Sequence, residues 1–182
     1  NGGGYELMNE LYAQHNVQNI PCGMMTAEGF GWFRAKLNGV SELQGMRMRF
    51  YGMGAKVMEK LGTSTRHLPG GDIYPALESG IIDAIEFSTP FIDIDLGFHE
   101  VANYYYYPAW HQPAAMLDLM IHLDSWQSLS QTEQDLIIRV CMENISHGLE
   151  AQETLVPAAL AEIRCEGVEV LETPPSILAA AR

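Results

Sequence analysis

The chain has 182 residues, 47% apolar and 18% charged, which suffices for a packed core and argues against a disordered chain. Its formal net charge of −13 argues against nucleic acid and anionic membrane surfaces as partners, since both would repel it. No apolar run approaches the roughly 20 residues that a membrane-spanning helix needs.

In chain order, residues 4–15 place Leu7, Met8, Leu11 and Tyr12 on one face of a predicted helix. Val17 to Met24 reads as a short strand broken near its end by Pro21 and Gly23. The segment GFGWFRAKL, from Gly29 to Leu37, is predicted to be extended, with Trp32 and Phe33 on opposite faces, and Asn38-Gly39 is a turn signal.

The most informative stretch runs from Gln44 to Phe91. Met46, Met48 and Phe50 alternate with Arg47, Arg49 and Tyr51, the period of a half-buried strand. Ala55, Val57, Met58 and Leu61 then recur at helical spacing, and Gly62 closes that helix. Thr65 to Leu68 gives a second strand, Gly70 to Ser79 a second helix stopped by Gly80, and Ile81 to Phe87 a third apolar run. Strands alternating with short helices predict a parallel sheet covered by helices. Ligands of such sheets sit beyond the carboxyl ends of the strands, where Arg49, Glu86 and Phe87 fall.

Pro90 opens a short helix ending near Gly97. Val101 to Tyr107 and Met116 to His122 follow as strands. Ser130-Gln131-Thr132-Glu133 is a capping box, and helical spacing of Leu136, Ile137, Val140, Ile145 and Leu149 carries the pattern on to Arg164. Such a helix reaches roughly 50 Å, with a kink expected at Pro157, and it packs along two domains or mediates an oligomer. Val168 to Leu171 reads as a last strand. Thr173-Pro174-Pro175-Ser176 reads as a helix start, and the chain is expected to be a piece of a longer protein.

Cys22, Cys141 and Cys165 show no CxxC spacing, so a zinc ribbon or a redox motif is set aside, and all three are expected to be buried thiols. His99, His111 and His122 fit neither a helical metal site nor a triad, and ordinary packing is expected, with Trp110 and His111 as candidate cleft-lining residues. Asp93 and Asp95 are expected on solvated helix faces. No nucleophile–base pair is defensible from the spacing, so the chain reads as a binding protein. The alternatives are a metal-assisted lyase or hydrolase acting on small carboxylic acids, with Glu86 and a bound metal as Lewis acid, and an interaction module built on the long helix.

Four motifs in order, GWFR (31–34), LQGMRMR (43–49), LPGGDIYPALESGIIDAIE (68–86) and YYYYPAWHQP (104–113), resemble the periplasmic solute receptors of TRAP transporters. The branch they resemble binds 2-oxo acids and related monocarboxylates. The resemblance implies an α/β, two-lobed periplasmic-binding-protein-like fold braced by a long helix. It places 1–20 at the end of the first lobe and a hinge strand, 21–88 in the second lobe, and 89–182 in returning hinge strands, the long helix and first-lobe elements. It implies a periplasmic location, TRAP membrane subunits as partners and, through the long helix, a possible homodimer.

The family motif chooses Arg49 over Arg47 as the carboxylate clamp, a role suited to a guanidinium that stays charged when buried. The resemblance also implies a sodium or calcium ion bound with the ligand, held by Glu86, the carbonyl of Phe87 and Gln112. Phe87 stands where the family has Trp, and Gln112 where it has Glu. Glu28 falls by counting on a family Gln, so a negative charge has moved from 112 to 28. The implied ligand-binding set is Arg49, Glu28, Phe87 and Gln112.

Overall fold

The alternation at residues 46–51 forms strand β3 (Arg47–Arg49), with Met48 fully buried between two arginines. The computed structural model describes residues 2–182, which divide into two compact units. One contains Ala27–Pro113 and Thr154–Arg182; the other contains the chain up to Thr26 and Ala114–Glu153.

The first of these units is built on a six-stranded sheet ordered β4-β3-β5-β2-β6-β8. Its strands are β2 (Gly31–Phe33), β3, β4 (Ser64–Arg66), β5 (Ala84–Ile85), β6 (Tyr104–Tyr106) and β8 (Glu169–Leu171). The expected cassette is present: β3 pairs in parallel with β4 and β5, joined through α2 (Gly52–Lys60) and α3 (Gly70–Glu78). The sheet as a whole is mixed, because β2 lies antiparallel between β5 and β6. The apolar run 81–87 yields only a two-residue strand. Gly62 and Gly80 follow their helices at φ +96° and +71°, left-handed conformations that side chains resist.

Consecutive residues of these strands go to opposite faces, as the pleat requires. Trp32, Ile85 and Tyr105 join Ile73, Leu77, Phe98 and Ile163 in one core cluster. Phe33, Ala84 and Tyr106 join Phe30, Leu43, Met48, Phe50 and Met58 in the other. The predicted split of Trp32 and Phe33 is thus observed. Burying each large apolar side chain contributes roughly 1.5–3 kcal/mol, so the sheet is held from both faces.

The other unit pairs β1 (Val17–Met25) with β7 (Ala115–His122) in antiparallel register, irregular between Pro21 and Gly23, where proline offers no amide proton. It also contains α1 (Gly4–Ala13), α5 (Leu123–Ser128) and the first part of α6 (Gln131–Cys165), a 35-residue helix with Pro157 inside it. The capping box forms: Ser130 N and Oγ both donate to the Glu133 carboxylate at 2.7 Å. Gln152 of α6 accepts from Thr26 N at 2.9 Å and donates to the Met24 carbonyl at 2.9 Å, anchoring the end of β1.

The cysteine expectation is corrected here. Cys22 on β1 and Cys141 on α6 form a disulfide across 119 residues of sequence, and Cys165 is an exposed free thiol. No local spacing could announce that pair, because tertiary packing of a strand on a helix creates it. The side chains of β7 do not sort into an apolar and a polar face, since Met116, Leu117, Leu119 and Met120 are all exposed.

Candidate functional site

The site stands at the carboxyl ends of two adjacent parallel strands. Arg49 closes β3 opposite Ile85 of β5, and the Glu86 amide donates to the Arg49 carbonyl at 3.0 Å. The register places the two side chains together. Arg49 Nη1 donates to the Glu86 carbonyl oxygen and, at 3.1 Å, to Glu86 Oε2. The pair is nearly enclosed, with 11% of the Arg49 side chain and 7% of the Glu86 side chain exposed. The guanidinium lies 5.2 Å from the centre of the Phe87 ring. Its Nε is buried and has no partner among the described residues, so it can serve an incoming anion.

Arg47 has a different fate. Its Nε and Nη2 form a fork on Asp83 at 2.9 and 2.5 Å, and its main-chain amide adds a third bond at 3.0 Å. With 42% of its side chain exposed, that ion pair is structural. A cavity of about 680 Å³ lined by Arg34, Glu42, Gln44 and Asp83 lies at that other end of β3 and holds none of the predicted site residues.

Glu28 comes from the segment leading into β2. Its amide donates to the Gln112 carbonyl at 3.2 Å and its carbonyl accepts from the Ala109 amide at 2.8 Å, which ties it to the WHQP loop. That loop brings His111 to Glu86, with Nε2 3.4 Å from Oε1. Donor atoms of Glu28, Glu86 and His111 all lie within 4.8 Å of one another. The Gln112 main-chain carbonyl is taken up by the Glu28 amide, and Phe87 packs its half-buried ring near Phe98, centroids 6.0 Å apart.

Two buried carboxylates thus face one guanidinium. Burial pushes the Glu28 carboxyl up to about 7, the Glu86 charge pushes it the same way, and Arg49 pulls it back. An excess of buried negative charge with oxygen donors converging is what a hard cation needs, so these residues fit a sodium or calcium ion.

His111, a candidate cleft-lining residue from its place in the YYYYPAWHQP motif, packs on the Phe50 ring with centroids 4.7 Å apart and also lies against the acidic cluster. Asp93 departs from the sequence expectation. Asp93 is not on a solvated face. It lies in α4 (Pro90–Asp93), fully buried, and accepts a hydrogen bond from Trp32 Nε1 at 2.9 Å. The short helix turns inward there, and nothing in its local spacing marks the turn.

Bacterial extracellular solute-binding protein, family 7, matches residues 2–182. The chain belongs to this family. Among its relatives, the monocarboxylate 2-oxoacid-binding periplasmic protein of Nostoc sp. is 36% identical over 181 residues, covering 100% of this chain and 50% of the relative. A TRAP transporter solute-binding protein from Bordetella bronchiseptica, with copurified calcium and picolinate in its active site, is 36% identical with a TM-score of 0.92. That match covers 99% of this chain and 54% of the other. A TRAP periplasmic solute-binding protein from Pseudoalteromonas atlantica, with bound sodium and pyruvate, is 32% identical with a TM-score of 0.88, covering 100% and 55%. The chain therefore spans about half the length of the relatives it matches. The two-lobed α/β fold class expected from the motifs agrees with these similarities.

Proposed function

We propose that this chain is part of an extracytoplasmic solute receptor that binds a small monocarboxylate, a 2-oxo or 2-hydroxy acid, together with a sodium or calcium ion. In this reading it delivers the acid to the membrane subunits of a TRAP transporter. The observation that carries it is the enclosed trio of Arg49, Glu86 and Glu28. One guanidinium with a free Nε suits one carboxylate, and the carboxylates beside it suit a cation that also touches the ligand.

Each residue has a distinct task in this proposal. Arg49 holds the ligand carboxylate, while Glu86 both orients Arg49 and offers its carboxylate to the ion. The carbonyl of Phe87 and the Gln112 residue supply neutral oxygens. Glu28 supplies the charge that the family pattern places at 112. The bound ion would neutralise the acidic cluster and polarise the keto or hydroxyl oxygen of the acid.

The Cys22–Cys141 disulfide supports a periplasmic location, because such bonds persist in oxidising compartments. The assignment of 21–88 to the second lobe, and of 1–20 and 89–182 to hinge, helix and first-lobe elements, belongs to the same proposal. So does a homodimer contact on α6, where Leu136 and Val140 are exposed one turn apart.

The test is a thermal-shift screen of the full-length protein with 2-oxo and 2-hydroxy acids, with and without chelator and sodium, alongside a product assay. Stabilisation by an acid that weakens when the cation is removed is expected. Turnover of a tightly bound acid would replace the receptor reading with the metal-assisted lyase or hydrolase.

A further inference from the structure

The Glu28 end of the site rests on an unusual foundation. Gly29 follows Glu28, and a Cβ placed on it would lie 2.2 Å from the Tyr105 hydroxyl oxygen and 2.6 Å from Tyr105 Cζ. The backbone beside Glu28 is therefore seated directly on the Tyr105 hydroxyl, at a distance only glycine permits. From the sides, the Gly29 amide donates to the Ser88 carbonyl at 2.9 Å and the Phe30 amide to the Tyr106 carbonyl at 2.8 Å.

Beneath that seat is Asp93. Its Oδ2 accepts from Trp32 Nε1 at 2.9 Å, and the Trp32 and Tyr105 rings pack with centroids 4.4 Å apart. Asp93 Oδ1 and the Tyr105 hydroxyl are both buried and lack a well-aligned hydrogen bond among the described residues, yet they lie close together: burial first, and then the Asp93 carboxylate, raise the pKa of the Tyr105 hydroxyl. A fully buried carboxyl with one oxygen unsatisfied is costly. A neutral amide would also accept from Trp32, so Asp93→Asn separates that bond from the charge.

We propose that Asp93, acting with Trp32 and Tyr105, is a positioning residue for the cation end of the site. It holds the Tyr105 platform under the Glu28–Gly29 segment and adds a buried negative charge behind Glu28 and Glu86. The inference rests on the cation reading above and names a residue that the reading does not use. The titratable groups that act on Asp93 are Glu28, Glu86 and Tyr105. Burial first, and then the charges of Glu28 and Glu86, push its carboxyl up to about 8, opposed by hydrogen bonds from Trp32 and the Ser88 backbone. A cation between those two glutamates would remove the repulsion and favour ionised Asp93. Electrostatic support for the ion then comes from a residue that need not touch it.

The test uses the full-length protein, calcium chloride alone as the probe, and titration calorimetry from pH 6.5 to 9. Asp93→Asn keeps an acceptor for Trp32 and removes the charge. Its melting temperature without cation should equal or exceed that of the wild type. Its calcium affinity should fall about five- to tenfold at pH 8.5–9, a deficit that shrinks toward pH 6.5, where the wild-type acid carries its proton. Tyr105→Phe, which keeps the ring and removes the hydroxyl, should lose about two- to threefold and keeps the platform testable should Asp93→Asn fold poorly. Calcium affinity unchanged in both variants would overturn the inference, as would a loss from Asp93→Asn that is the same at every pH. Wild-type protein that binds neither calcium nor sodium would overturn the cation reading itself, and this inference with it.

Discussion

Replacing Arg49 by Ala should abolish tight carboxylate binding while the fold survives. The guanidinium is almost enclosed, donates twice to Glu86 and has a buried Nε free for ligand. Removing a buried, charge-assisted partner of a ligand carboxylate typically costs about 2–5 kcal/mol, which is roughly thirty-fold or more in affinity. The structure adds a second, opposite consequence. Arg49 is the charge that lowers the Glu28 carboxyl, and its removal leaves the acidic cluster uncompensated. Affinity for a cation alone should therefore rise in Arg49→Ala while affinity for the acid collapses. Arg47→Ala is the control: its guanidinium is committed to Asp83 and 42% exposed, so the acid affinity should move by less than about twofold. Titration calorimetry of the full-length variants with pyruvate and with calcium reads both effects. Equal losses of acid binding from the two arginine variants, or none from Arg49→Ala, would refute the assignment.

Glu28→Gln should raise stability without cation at neutral pH. The folded carboxyl titrates near 7 against an ordinary 4.5, so the folded state holds the extra proton. Stability then falls as pH rises from about 4.5 to 7, a wild-type loss of at most about 3 kcal/mol, and the Gln variant should lack that slope in melts taken across the range. Reduction of the Cys22–Cys141 bond should destabilise the unit containing β1 and β7 by about 2–5 kcal/mol, read as a lower melting temperature in reductant, with a Cys165→Ser variant responding identically. Scattering from the complete protein should show a smaller radius of gyration with acid and cation bound than without; no change would argue against closure on the ligand.

Much of the fold was legible because its signals are local. The 46–51 alternation, the helix-stopping glycines at 62 and 80, and the capping box at Ser130 each depend on a few neighbouring residues, and each appears where it was predicted. Arg47 and Arg49 show where such signals end. Strand periodicity puts both on one face, and only the partners at the strand ends, Asp83 and Glu86, separate a structural fork from an enclosed clamp. The remaining features come from long-range packing. His111 meets Glu86 through a loop, Asp93 turns inward to Trp32 across 61 residues, and Cys22 finds Cys141 across 119. None leaves a period or a spacing to read.

The charges in the site bear on which cation it takes. Ionised Glu28 and Glu86 against Arg49 sum to −1, and a monocarboxylate ligand brings the total to −2. Calcium restores neutrality with both glutamates ionised. Sodium restores it only if one glutamate keeps its proton, and Glu28, titrating near 7, is the one poised to do so. Cation valence and the Glu28 proton are therefore linked: calcium should expel the proton and sodium should retain it. At pH 6 the wild-type Glu28 is mostly protonated, and Asp93, titrating near 8, is more so. Binding of calcium with pyruvate at pH 6 should then release close to one proton, whereas sodium with pyruvate should release close to none. Calorimetry in buffers of differing ionisation enthalpy counts those protons. Glu28→Gln should release almost none with either ion and should shift preference toward sodium. Equal proton release for the two cations in the wild type would show that Glu28 does not answer to the charge of the ion, and would remove it from the proposed ligand set.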